Sequence, residues 1–317
     1  MTTPSPPSDV DVERPLALTA EQRRQFDEEG FFVVEDLLTS EEVSTLLDLV
    51  DERYRGFVRD RDLAADEAFQ MRNVVSLDRR FRDLIDHPRI LPYVVDVMGS
   101  NIQLRTSHAD VRPPQPTSAA EHEIGSPDSF FPWHSDGPNY GWPLVDGVVP
   151  FMEMKVGLYL TDLSKGDQGE ICVVRGSHRR AQSRDTDGRH LIDADDIVPV
   201  TVKPGAALIW RTALLHALRP NLSSEPRRCL YYGYHPRWIR PSDYDRQTAQ
   251  TLEGCSPIQR QLLGELGTGL DNYSGDDPAV HPVSLYWRPT DDEIPLAGWA
   301  RQQRELLYGP SDAGTDT

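Results

Sequence analysis

Between Gly99 and about residue 240 the chain is written in short pieces. The runs "IQLRTSHADVR", "FMEMKVGLYLTDL", "EICVV", "IVPVTVK", "AALIWR" and "RCLYYGYH" are rich in β-branched and aromatic residues, and Gly, Pro, Asp and Ser separate them. So many short strands in succession predict an antiparallel sandwich or barrel. Two insertions interrupt them. Residues 113–132 hold Pro113, Pro114, Pro116, Pro127 and Pro132, and residues 179–195 read "RRAQSRDTDGRHLIDAD". Loops of that length in a compact domain are functional lids or disordered segments.

The flanks have a different texture. Residues 1–17 are Pro, Ser and Asp with little to bury, and predict a disordered tail. Residues 18–99 read as mostly helical. "AEQRRQFDEEG" is a short helix ending at Gly30, "FFVVED" a strand, and Thr39 with Glu42 a capping box ahead of a helix with a stripe of Val43, Leu46, Leu47 and Val50. "PRILPYVVDVMG" is a further helix closed by Gly99. Residues 241–308 form a helical and loop extension containing "PIQRQLLGEL" and "LAGWARQQRELL", and 309–317 a polar, disordered end. No internal repeat is visible.

Charge and cysteine content exclude several classes. With 51 acidic against 33 basic residues, the formal charge of −18 repels nucleic acid and anionic membrane, so neither is expected as a partner. Cys172, Cys229 and Cys255 are far apart, with no CxxC pair, which supports neither a disulfide framework nor a cysteine zinc site. The N-terminus lacks the apolar core of a signal peptide, and no apolar run approaches the roughly 20 residues of a membrane span. The expectation is a soluble cytoplasmic protein, monomer or homodimer.

The chemistry begins at "FFPWHSDGPNYGWP". His134 and Asp136 are two apart, so in an extended segment they point to the same side. A His nitrogen and a carboxylate can then meet at one ion, as two ligands of a 2-His-1-carboxylate triad that leaves one face of Fe(II) open. His216 is the best third ligand. It follows the apolar run "AALIW" and stands before a turn with Pro220 and Pro226, after which the chain returns as a strand. That strand opens with Arg227 and Arg228. Successive strand residues face opposite sides, so one of the two points inward, across the hairpin from His216, where its fork suits a carboxylate.

These pieces together resemble the phytanoyl-CoA dioxygenase family of Fe(II)/2-oxoglutarate oxygenases. The resemblance covers roughly residues 18–240. It rests on "LTAEQRRQFDEEGFFVVEDLLTSEEVSTL", on "WHSDG", on "LYLTDLSKGDQGEICVVRGSH" (with Arg175 in place of the usual Pro) and on "HALRPNLSSEPRR". It implies a mainly β fold with flanking helices around a double-stranded β-helix (a cupin-like jelly roll), forming one oxygenase domain over 18–308. It implies His134, Asp136 and His216 as iron ligands and selects Arg227 for the remote carboxylate of 2-oxoglutarate. The chemistry implied is hydroxylation of an unactivated C–H of a small organic molecule, with O2 consumed and succinate and carbon dioxide released. Related iron halogenases lack the carboxylate ligand, so Asp136 implies hydroxylation.

Two positions depart from the family pattern. Leu218 stands where a Ser or Thr often helps hold the co-substrate, leaving Thr212 or Arg112 as candidate cofactor contacts. Gly157 stands near an expected aromatic. For the substrate, an apolar pocket of Phe131, Tyr140, Trp142 and Trp210 is expected, with Tyr140 and Trp142 foremost and the 113–132 insertion as lid. Two other readings stay open: a cupin-type metal enzyme without 2-oxoglutarate, and a non-catalytic binding protein on the same fold.

Overall fold

The structure, a computed structural model, describes residues 14–64, 67–121, 124–125, 132–136, 144–265 and 294–310. Its contacts cluster into two units. One comprises Ala20–Val74 and Thr106–Gly233, the other Met1–Thr19, Val75–Arg105 and Tyr234–Thr317.

The first unit carries the strands foreseen in the sequence. β1 (Phe31–Val34), β2 (Phe69–Arg72), β3 (Ile102–Arg112), β4 (Met154–Tyr159), β7 (Ala207–Arg211) and β9 (Arg227–Pro236) make a six-stranded sheet in the order β1-β7-β4-β9-β3-β2. β5 (Ile171–Val174), β6 (Ile197–Pro199) and β8 (His216–Leu218) make a second sheet in the order β6-β5-β8. From β4 the chain passes to the small sheet for β5 and β6, returns for β7, crosses again for β8 and returns for β9, and this is the jelly roll. Register is explicit: Lys155 pairs with Trp210 across β4 and β7, Gln70 with Asp110 across β2 and β3, and Val173 with His216 across β5 and β8. Tyr159, Val173, Leu208, Trp210, Cys229 and Tyr231 belong to one buried cluster drawn from both sheets. Burying such side chains yields about 25 cal/mol per Å² of apolar surface and dominates the unit's stability.

α1 (Ala20–Glu28) and α2 (Ser40–Arg61) flank the sheets. The predicted capping box at α2 is present: the Glu42 amide donates to Thr39 Oγ1 at 3.2 Å and the Thr39 amide to Glu42 Oε2 at 2.6 Å. The buried stripe is Val43, Leu46, Leu49 and Val50 rather than one that includes Leu47. β2 was not foreseen. Its one buried residue is Met71, while Gln70 and the exposed Arg72 on the other face donate to Asp110 at 2.9 Å and to Thr106 at 3.4 Å, so four residues with a single core position give too short an alternation to mark a strand. Residues 179–195 form a mostly exposed, locally bonded loop in which Arg184 bridges His190 and Asp185 Oδ1 accepts from the Asp187 and Arg189 amides.

In the other unit, α3 (Arg79–Arg82), α4 (Leu91–Met98), α5 (Ala249–Leu252), α6 (Pro257–Leu262) and α7 (Pro295–Tyr308) supply the helices. Gly99, at φ 79°, closes α4 as expected. The predicted disordered tail over 1–17 is corrected at its end. The amides of Leu16, Ala17 and Leu18 donate to the buried Asp96 carboxylate at 2.8, 2.8 and 2.9 Å, because a carboxylate out of water needs donors. The helical end is pinned likewise: Gln261 donates to the Ser100 and Ile102 carbonyls and accepts from the Leu296 amide. No helix among the described residues is long and apolar enough to cross a membrane.

Candidate metal centre

His134, Asp136 and His216 offer ligand atoms that all lie within 4.8 Å of one another, the one such group among the described residues. Backbone pairing brings them together. The segment carrying His134 lies antiparallel to the start of β8, with the His134 amide donating to the His216 carbonyl at 3.0 Å and the reverse bond at 2.8 Å. The imidazole centroids are therefore 4.3 Å apart. Asp136 follows on the same side, its Oδ2 3.4 Å from His216 Nε2 and its Oδ1 3.9 Å from His134 Nε2.

Both rings are held the same way. His134 Nδ1 lies 2.8 Å from the Pro132 carbonyl and His216 Nδ1 2.9 Å from the Leu214 carbonyl. A carbonyl only accepts, so each Nδ1 carries a hydrogen and each Nε2 is the nitrogen turned toward Asp136. Burial and the neighbouring His216 push His134 down to about 4, so it is neutral near pH 7. Burial works against ionised Asp136, but Lys155 and the two histidines outweigh it and hold the carboxyl well below its usual range. Two imidazoles and one carboxylate suit a divalent metal with mixed N and O preference.

A second polar cluster lies deeper in the same unit. Arg227 is fully buried, and its Nη1 donates to Asp110 Oδ1 at 3.1 Å while its Nη2 donates to the Tyr231 hydroxyl. Asp110 also takes a bidentate pair from Arg112, at 2.6 and 3.0 Å. Burial raises the Asp110 carboxyl, yet Arg112 and Arg227 bring it well below the ordinary value. Asp110 thus neutralises one guanidinium and leaves the other's charge to an incoming anion. Arg228 faces away, forked on Asp51 at 2.5 and 2.9 Å, so strand alternation separates the pair as expected.

One geometric expectation is corrected. Arg227 does not lie across a hairpin from His216, because β8 pairs with β5 in the small sheet while β9 lies between β4 and β3 in the large one. The intervening turn crosses between sheets. Asn221 organises it, donating to the Arg112 and Glu225 carbonyls and accepting from Ser223. The candidate cofactor contacts divide. Arg112 joins the Arg227 cluster through Asp110, whereas the Thr212 hydroxyl donates to the Glu153 carbonyl at 3.1 Å. Trp210 is core, 1% exposed, edge-on to His216 and Tyr231, and backs the site rather than opening onto a pocket. Phe131, Tyr140 and Trp142 lie outside the described residues.

Asp110, Lys155 and Tyr231 escaped the sequence reading. Two left a trace: His108, Asp110 and Arg112 alternate along one face of β3, and Lys155 is the one charged residue of β4. The absent aromatic near Gly157 is supplied by β9, since a Cβ at Gly157 would meet the Tyr231 ring at 2.8 Å. His178, read as structural, is buried, with Nε2 3.1 Å from the Asp27 carbonyl.

Comparison with known proteins agrees with this architecture. The pattern of the phytanoyl-CoA dioxygenase family matches residues 26–229. An ectoine dioxygenase of Bordetella bronchiseptica is 25% identical over 290 residues, covering 78% of this chain and 88% of the relative. The dioxygenase lolE1 of Epichloe uncinata is 26% identical over 127 residues, 39% of this chain and 47% of its own. Among solved structures, HygX from Streptomyces hygroscopicus, with nickel and 2-oxoglutarate bound, superposes at a TM-score of 0.54 with 20% identity, over 74% of this chain and 94% of that one. The carbocyclase SnoK from nogalamycin biosynthesis gives 0.52 at 18% identity, over 69% and 85%.

Proposed function

The chain belongs to the phytanoyl-CoA dioxygenase family of iron- and 2-oxoglutarate-dependent dioxygenases, and from that premise we propose that it hydroxylates an unactivated C–H of a small organic molecule. The observation that carries the reading is the convergence of two imidazoles and one ionised carboxylate on one point. Iron bound there, with the keto acid and O2, supplies oxidative decarboxylation to succinate and carbon dioxide and transfer of one oxygen atom to substrate carbon.

The protein's share is placement and charge. His134, Asp136 and His216 hold the metal from one side and leave the other for ligands. Arg227 provides the buried positive charge that the remote carboxylate of 2-oxoglutarate needs, with Asp110 and Tyr231 fixing its fork. The presence of Asp136 supports hydroxylation over halide transfer, because the carboxylate takes the position a halide would require. The ectoine dioxygenase relative supports a small-molecule substrate, which we read as a small organic molecule such as a secondary metabolite. The acidic chain, with all three cysteines free, supports action in the cytoplasm as a monomer or homodimer, apart from nucleic acid.

An anaerobic titration of the metal-free protein with Fe(II) and 2-oxoglutarate tests the reading. A visible charge-transfer band of iron-chelated keto acid is expected. His216→Ala abolishes it, and Arg227→Ala raises the co-substrate needed to form it. Iron binding without such a band would sink the 2-oxoglutarate reading.

A further inference from the structure

Lys155 is one of three lysines in the chain, and it stands on β4, where every residue is buried. Its side chain is 8% exposed, and its ammonium lies 2.5 Å from Asp136 Oδ2. That oxygen is the one 3.4 Å from His216 Nε2, on the side where the three ligand atoms converge. The ammonium also lies 6.0 Å from the centre of the Trp210 ring, whose face favours a cation. A buried ammonium therefore holds the carboxylate that the metal requires.

Metal and ammonium compete for Asp136. A divalent ion on that carboxylate weakens the Lys155 pair and places a second positive charge beside a cation that cannot reach water. The keto acid reverses this. Its remote carboxylate belongs to Arg227 in the reading above, and its other carboxylate lies at the metal. The ion brings two positive charges and 2-oxoglutarate two negative ones, so the site carries the same net charge empty as with both bound. The metal alone leaves it with a surplus, which is costly out of water.

We propose that Lys155 is a positioning residue that couples metal and co-substrate binding. It keeps Asp136 in place in the metal-free protein, yields that carboxylate to the metal, and turns to the keto-acid carboxylate presented there. The proposal rests on the iron and 2-oxoglutarate reading and adds a thermodynamic linkage to it. Linkage is reciprocal, so 2-oxoglutarate tightens the metal by the same factor as the metal tightens 2-oxoglutarate.

The test measures Fe(II) affinity anaerobically by chelator competition, with and without saturating 2-oxoglutarate. Lys155→Met keeps the length and removes the charge. Chelation by itself gives some tightening, and the Met variant retains that part. The wild-type protein is expected to show a further coupling within about 5- to 150-fold. In Lys155→Met, Fe(II) alone binds more tightly than in wild type, and the enhancement by 2-oxoglutarate falls at least about fivefold. Lys155→Arg restores the enhancement. Should the Met variant fail to fold, Lys155→Gln carries the same expectation. An unchanged enhancement in either neutral variant, or no enhancement in wild type, overturns the proposal. His216→Ala runs alongside: if it binds Fe(II) as wild type does, the metal assignment fails and not the coupling.

Discussion

Arg227 and Asp110 form a buried ion pair at 3.1 Å between neighbouring strands, and Asp110 shares its carboxylate with Arg112. The residue we propose for the remote carboxylate of 2-oxoglutarate is thus already half-neutralised by the protein. Removing one partner of such a cluster strands the others. Asp110→Asn is expected to lower stability by on the order of 3 kcal/mol, since two guanidiniums then face each other without a carboxylate. Added 2-oxoglutarate restores part of the loss by binding the folded state. Thermal unfolding with and without 2-oxoglutarate checks both. An Asn variant as stable as wild type would show that the cluster is not held as described.

The fork of Arg227 matters as well as its charge. Arg227→Lys keeps the charge but cannot donate at once to Asp110, Tyr231 and a carboxylate in one plane. Hydrogen bonds to charged groups contribute about 1.5–3 kcal/mol, so the half-saturating 2-oxoglutarate concentration rises roughly 10- to 100-fold. Fe(II) affinity in the absence of co-substrate stays unchanged, and a titration of each ligand separates the two effects.

Gly157 leaves the space that Tyr231 fills. A Cβ there would stand 2.8 Å from the Tyr231 ring and 3.2 Å from Trp210. Gly157→Ala is expected to cost about 1–3 kcal/mol through overpacking. It also pushes Tyr231 away from Arg227, so co-substrate binding weakens with it. A variant that loses stability yet keeps full 2-oxoglutarate affinity would separate Tyr231 from the anion site.

Buried histidines give the protein an acid limit. Burial and nearby Arg211 push His178 down to about 4, and burial with nearby Arg105 pushes His235 down to about 3. Between about pH 6.5 and these values the unfolded chain takes up protons that the folded chain refuses. Stability therefore falls as pH drops below about 6.5, and above it these residues contribute no slope. Melting temperatures of the metal-free protein from pH 8 to 5 should trace that decline, and His235→Phe should flatten it.

The sequence made the metal triad legible because strand alternation, a two-residue spacing and a histidine at a strand start are local facts. Alternation said only that one of Arg227 and Arg228 points inward, and the family resemblance chose Arg227. What it hid is cross-strand. Asp110 meets Arg227 only because β3 and β9 are neighbours, and Lys155 meets Asp136 across nineteen residues of chain. β2 stayed hidden because it is four residues long and buries only Met71. The ordered residues before Leu18 depend on Asp96, about eighty residues away, which no local pattern announces.

The two imidazoles hang from peptides that bond to each other, His134 to His216 in both directions. A slip of one residue along that short ladder would turn His134 and Asp136 to the opposite face together. On the proposed ligand assignment, uptake of iron would report on assembly: a chain whose 132–136 segment has docked out of alignment would stay colourless when iron and keto acid are added.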